Sequence, residues 1–207
     1  MEIDPMEHVE NQNEEEEKEA ARKDKKKSQL NNFVAITVAI LATFTGICKV
    51  KDDNICQAMQ QTQATKIDSW NFYQARNIRE EIANATVAQL QLQEAAAPPA
   101  LKAGYEKQIA LYGALAKKQH EEKEKVKQEA ENADVEYARY NIHDDQFDLS
   151  DALVAISISL LALTALTQKQ WLFWVSMAPT MFGILMGLAG LLGWGLHPGT
   201  LTSWLGT

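Results

Sequence analysis

The run LNNFVAITVAILATFTGIC, residues 30–48, holds no charged side chain. A helix needs about 20 predominantly apolar residues to cross a hydrocarbon core roughly 30 Å thick, and this run is of that kind. Two more uncharged stretches follow, Ala152–Thr167 and Gln170–Thr207, with Lys169 alone between them, whereas charges crowd residues 1–29 and 49–151. This separation of polarity into blocks predicts an all-α membrane protein. It has three transmembrane helices, with a long antiparallel helical hairpin, a coiled-coil stalk, between the first and the second. The expected divisions are a disordered charged tail over 1–29, transmembrane helix 1 over 30–48 and the extramembrane hairpin over 49–148 with its turn at 98–99. Transmembrane helix 2 over 149–167, transmembrane helix 3 over 171–196 and a short tail over 197–207 complete the chain.

On the N-terminal side, the run Glu14–Glu17 sits in a segment without apolar periodicity, which has nothing to bury. Arg22, Lys23, Lys25, Lys26 and Lys27 then stand directly before the first crossing. Short segments rich in Lys and Arg stay cytoplasmic, so the N-terminus is expected inside and the hairpin outside. Lys169 returns the second link to the inside, and the C-terminus falls outside. No cleaved signal peptide is expected, because the apolar run begins only at Leu30 and no small-residue cleavage pattern follows it. The net charge of −8 is spread without a large basic face, which argues against a nucleic-acid partner. Cys48 and Cys56 fit neither a zinc pair nor a dithiol motif and read as isolated thiols.

On the C-terminal side of the first crossing, Gln57–Ala97 contains neither Pro nor Gly and is rich in good helix formers. Ala64, Ile67, Ala75, Ile78, Ile82, Ala85 and Leu92 recur at the three-and-four spacing of one helix face, the expected packing face. Pro98-Pro99 breaks the helix. The next helix carries a seven-residue repeat, Tyr105, Tyr112, Gln119, Val126, Ala133, Tyr140 and Phe147, with a companion row Ile109, Ala116, Lys123, Ala130, Tyr137 and Asp144. That is a coiled-coil seam loosened by Gln119, Lys123 and Asp144. Lys51–Ala97 and Ala100–Gln146 are 47 residues each. At about 1.5 Å per residue both arms reach roughly 70 Å, and equal arms return the chain to the membrane where it left.

In the third crossing Trp171 and Trp174 stand at one end and Trp194 at the other, the pattern of interfacial anchors. Between them Gly183, Gly187 and Gly190 share one face, and Gly183 with Gly187 forms a GxxxG that lets backbones approach closely. The close contact is with the first two helices or with another subunit. Pro179 is expected to kink this helix. Leu30–Cys48 and Ala152–Thr167 carry Thr and Ser but no ionisable group, which counts against a transporter or pump. No phosphate loop, nucleophile elbow or zinc-protease motif occurs. His143-Asp144-Asp145 is the only cluster resembling a metal site, and a polar junction at the headgroup level accounts for it equally well. No catalytic residue, cofactor or metal is expected.

The segment Ile67-Asp68-Ser69-Trp70-Asn71-Phe72-Tyr73-Gln74-Ala75-Arg76-Asn77-Ile78-Arg79 resembles the signature, roughly D-x-W-x-x-Y-Q-A-K/R-x-I-K/R, of an uncharacterised bacterial membrane-protein family, domain of unknown function 4337. The resemblance extends over essentially the whole chain and implies a bacterial source and an inner-membrane location, but no established activity. Trp70, Tyr73, Gln74 and Asn77 occupy adjoining positions of one helix face. They either pack against Tyr137 and Tyr140 or form a partner-recognition patch. The expected function is therefore that of a non-enzymatic, membrane-anchored structural or interaction protein, an oligomeric stalk or an accessory subunit of a larger membrane assembly. The alternative is an oligomeric channel or pore-forming effector. Expected partners are the lipid bilayer, further copies of the chain and other membrane subunits. Gly183, Gly187 and Gly190 are the expected contact between copies.

Overall fold

The computed structural model describes residues 5–196, with side chains from residue 17 onward. Three helices follow one another, α1 (Pro5–Ala96), α2 (Pro99–Thr167) and α3 (Gln170–Leu192), and no strand occurs among the described residues. All three are long and apolar enough to cross a membrane by length and composition. α1 starts at Pro5, so most of the segment expected to be a disordered tail is helical. Its charge order suits a helix: Glu19 and Lys23, one turn apart, pair at 3.2 Å, the stabilising orientation of such pairs.

The helix breaks follow from local chemistry. Pro98 and Pro99 supply no N–H, and each biases the residue before it away from the α region. Pro99 then takes the first position of α2, where its fixed φ is favourable. Ala97 N–H bonds the Glu94 carbonyl at 3.1 Å and Leu101 N–H bonds that of Pro98 at 3.0 Å. After α2, Gln168 adopts a left-handed φ of 58°. Its side-chain amide donates to the Ala165 carbonyl and, at 3.0 Å, to Asn31 Oδ1, which offsets the strain. α3 stops at Leu192, short of the expected 196. Gly193 takes a φ of 70° there, and Trp194 N–H closes onto the Ala189 carbonyl at 2.9 Å. The expected C-terminal tail, 197–207, lies outside the described residues.

The chain divides into two compact units, Met1–Asn54 with Ile142–Thr207, and Ile55–Asn141. In the first, Val34 and Leu41 of α1 meet Val154 and Leu161 of α2, both pairs seven residues apart, with Phe173, Met177 and Ile184 of α3 packed against them. Phe33, Ile36, Ile40 and Ile47 of α1 are more than half exposed, as a lipid-facing side requires. Several interior hydroxyls are satisfied by their own helices. Ser157 and Thr164 each donate to the carbonyl four residues back at 2.8 Å, and Thr180 does so at 2.7 Å.

In the second unit the buried residues of α1 are Ile55, Met59, Thr62, Ser69 and Ala83, and those of α2 are Ala116, Gln119, Ala130 and Ala133. The face expected to pack does not. Ile67, Ile78, Ile82 and Leu92 are 53%, 59%, 60% and 76% exposed. The reason is that alanine, serine and threonine rows allow backbones to approach and leave room for paired charges. The isoleucine face has no matching row on α2. On α2 the buried residues Gln119 and Ala133, and Ala116 and Ala130, are members of the two rows read from the sequence.

Candidate functional site

The signature segment lies on α1 and meets α2 through Arg76, Asn77 and Tyr73, with Glu80 one residue beyond it. Arg76 forms an ion pair with Glu122, and its Nη1 donates to Gln119 Oε1 at 3.0 Å. Lys123 Nζ sits 2.7 Å from Glu80 Oε2, donates to Asn77 Oδ1 at 3.1 Å and stands 5.9 Å from the centre of the Tyr73 ring. His120 Nδ1 is 3.0 Å from the other Glu80 oxygen. Further along, Lys66 pairs with Asp134. As the residue number rises on α1, that of its partner on α2 falls. Lys123 and Glu80 are only 11% and 16% exposed, so water screens this pair less than an ordinary surface pair. Gln119 and Lys123, expected to weaken the seam, are its polar partners.

The expected site residues divide accordingly. Tyr73 and Asn77 belong to the ionic seam, while Gln74 is exposed. Trp70 packs edge-on to Tyr73, with ring centres 5.5 Å apart and planes at 80°. Tyr140 lines a cleft with Ala58, Gln61, Thr62 and Thr65, and Tyr73 has Lys123 over its ring. From the sequence the acids Glu80 and Glu122 read as solvated groups on exposed helix, and neither Arg76 nor His120 is assigned a partner; the seam joins all four. Their signal is charge, a cation and an anion four apart on α1 and two apart on α2, which a search for apolar periodicity discards.

The Glu80–Lys123 pair predicts a pH dependence for the seam. Lys123, by donating to Glu80, holds its carboxyl below the usual carboxylate range, and the same bond raises the Lys123 ammonium. The lowered acid contributes stability above its unfolded pKa and loses it as pH falls through the folded value. The raised amine contributes below its unfolded pKa and loses it as pH rises through the folded value. The unit should therefore be most stable between about pH 5 and 10 and weaken on both sides. Thermal unfolding of the full chain by circular dichroism should show this plateau, and Glu80→Gln should flatten the acid limb. An unchanged acid limb in that variant would remove Glu80 from the seam's energetics.

In the other unit the glycine face is filled from within the chain. A Cβ on Gly183 would lie 3.0 Å from Val154 Cγ2. On Gly187 it would lie 2.6 Å from Phe44 Cζ, and on Gly190 2.7 Å from Phe147 Cζ. Ser150 Oγ donates to the Gly183 carbonyl at 2.8 Å across the same approach. The three glycines therefore join α3 to α1 and α2 within the chain, one of the two contacts read from the sequence. Gln146, fully buried, donates through Nε2 to the Trp194 carbonyl at 2.8 Å and to that of Leu196. His143 Nδ1 lies 3.1 Å from its Oε1. His143, singled out for metal binding, thus engages an amide. Neither cysteine is in a disulfide.

Architecture and seam together define an all-helical protein with three helices capable of crossing a membrane and a charge-paired segment between the first two. A family model described as "Domain of unknown function (DUF4337)" matches residues 30–193. The chain belongs to that family. The match begins at the first apolar run, so the acidic and basic residues before it lie outside. No curated protein and no solved structure matches the chain.

Proposed function

We propose that this chain is a non-enzymatic, membrane-anchored stalk that acts by association, as a homo-oligomer or as an accessory subunit of a larger membrane assembly. The observation that carries the proposal is the outward face of α1, where Ile67, Ile78, Ile82 and Leu92 stand exposed while the opposite face is taken up by ion pairs. A row of large apolar side chains kept in water is a site awaiting a partner surface. A parallel neighbouring copy offers the same row at the same height, and cyclic symmetry about the membrane normal keeps every subunit anchored. The pairs Lys66–Asp134, Arg76–Glu122 and Glu80–His120 fit an antiparallel, coiled-coil-like hairpin that folds at Pro98-Pro99. The basic cluster Arg22–Lys27 fits a cytoplasmic N-terminus with the hairpin and the C-terminus in the periplasm, and the signature segment fits a bacterial inner membrane. The pore alternative draws less support, since hydroxyls such as Ser157 and Thr164 bond their own helix rather than facing a pathway.

Native mass spectrometry of the detergent-solubilised chain tests the association. The wild type should fly as a multi-subunit particle, and Ile78→Glu with Ile82→Glu should shift it to lower mass. A wild-type monomer without co-purifying chains would contradict the proposal. In intact cells, a cysteine added near Pro99 should react with a membrane-impermeant thiol reagent and one at position 10 should not. The reverse pattern would overturn the orientation alone.

A further inference from the structure

Two clefts in the membrane unit meet where α1 and α3 begin their apolar stretches. One, of about 350 Å³, is lined by Lys23, Lys26, Lys27, Leu30, Gln168 and Gln170. The other, of about 360 Å³, is lined by Leu30, Phe33, Gln170, Phe173 and Trp174. Leu30 and Gln170 belong to both, so a basic compartment continues into an apolar one. The arrangement is written in the sequence at helical spacing. On α1 the positions 23, 26, 27, 30 and 33 lie on one face and pass from lysine to leucine to phenylalanine, and on α3 the positions 170, 173 and 174 do the same from glutamine to aromatic. From Lys26 to Phe33 the helix climbs about 10 Å, comparable to the depth from headgroup to acyl boundary. Lys23 pairs with Glu19, and Asp24 lies on the same turn. Lys26 and Lys27 have no ion-pair partner among the described residues.

We infer that this double cleft is a binding site for an anionic glycerophospholipid, its phosphate held by Lys26 and Lys27 with Lys23 at the margin and an acyl chain laid along Phe33, Phe173 and Trp174. A free phosphate would use the basic half only, and a neutral lipid the apolar half only. The lined path from one to the other matches a molecule that carries both. The assignment rests on the membrane reading of the three helices. Each lysine near an anionic headgroup is worth about 1 kcal/mol, close to fivefold in affinity.

The full-length protein, extracted in a mild detergent, should be mixed with phosphatidylglycerol or phosphatidylcholine and the bound lipid counted by native mass spectrometry. The wild type should retain phosphatidylglycerol roughly tenfold or more over phosphatidylcholine. Lys26→Gln with Lys27→Gln should bring the two near parity. Lys102→Gln with Lys107→Gln should leave the preference intact, and Trp174→Ala should weaken both lipids alike. Equal retention by the wild type, or a preference that survives loss of Lys26 and Lys27, would overturn the site. Complete displacement by millimolar inorganic phosphate would reassign it to free anions and likewise overturn the lipid. A chain that stays in solution without detergent would take the membrane reading down as well, an outcome distinct from parity between lipids.

Discussion

Gly187→Leu should lower the stability of the detergent-solubilised chain by about 3 kcal/mol, the upper range for overpacking a filled interior. Even a single Cβ there would approach Phe44 Cζ to 2.6 Å and Ser150 Oγ to 2.8 Å. Leucine adds three further carbons in the same direction. Moving Ser150 aside breaks its bond to the Gly183 carbonyl, and moving Phe44 opens the contact between α1 and α3. Lipid tails are as apolar as leucine, so helices in a bilayer hold together by close packing and hydrogen bonds rather than by water exclusion. A wedge at this point removes both. Gly46, in the first apolar run, is the control, because a Cβ added there meets nothing within 4 Å. Gly46→Ala should be neutral or stabilise by up to about 1 kcal/mol, since glycine is a poor helix former. Unfolding by denaturing detergent, followed by circular dichroism, would compare the two. Equal behaviour would mean that the glycine face is not packed.

The second large effect is expected at Gln146→Leu. The residue is fully buried, so the substitution keeps its volume approximately and removes only the amide. Two carbonyls beyond the end of α3, at Trp194 and Leu196, then lose their donor. Trp194 and Leu196 are themselves exposed, so water can take over their carbonyls, and the cost is that of two ordinary hydrogen bonds, about 0.5–1.5 kcal/mol each. The loss should appear locally, as faster amide exchange over residues 189–196 with little change in the second unit. Gln146→Glu should behave like the leucine variant, because a carboxylate cannot donate to either carbonyl. Retained protection in both variants would show that the end of α3 is held by Gly193 and its backbone bonds alone.

The three apolar runs are plain in the sequence because lipid imposes a length and a charge rule that water does not. The break at Pro98-Pro99 is equally plain, since proline chemistry is local. The packing face of α1 beyond its apolar run is not. Apolar periodicity selects Ile67, Ile78, Ile82 and Leu92, whereas the contact is made by Thr62, Ser69, Arg76 and Ala83. Small and charged residues form a seam only when a second row complements them, and complementarity between Arg76 and Glu122 or Glu80 and Lys123 needs the register of two segments 40 residues or more apart. The glycine face of α3 was legible as a close-approach surface. What it approaches was not, because Phe44, Phe147 and Ser150 announce nothing until the helices are assembled. Gln146 illustrates the same point, being an ordinary polar residue until its two carbonyl partners are in place.

The stalk is tested most directly by a cysteine pair. Ala83 and Ala116 are both buried within the second unit, and each lies one helical turn beyond the Glu80–His120 contact toward the Pro98 break. In a chain whose Cys48 and Cys56 are replaced by serine, Ala83→Cys with Ala116→Cys should form a disulfide within one chain on mild oxidation. The product should keep the monomer mass on a denaturing gel and resist separation after proteolysis at the tip. Bridges formed only between chains, or none at all, would contradict the folding back of the two segments onto each other.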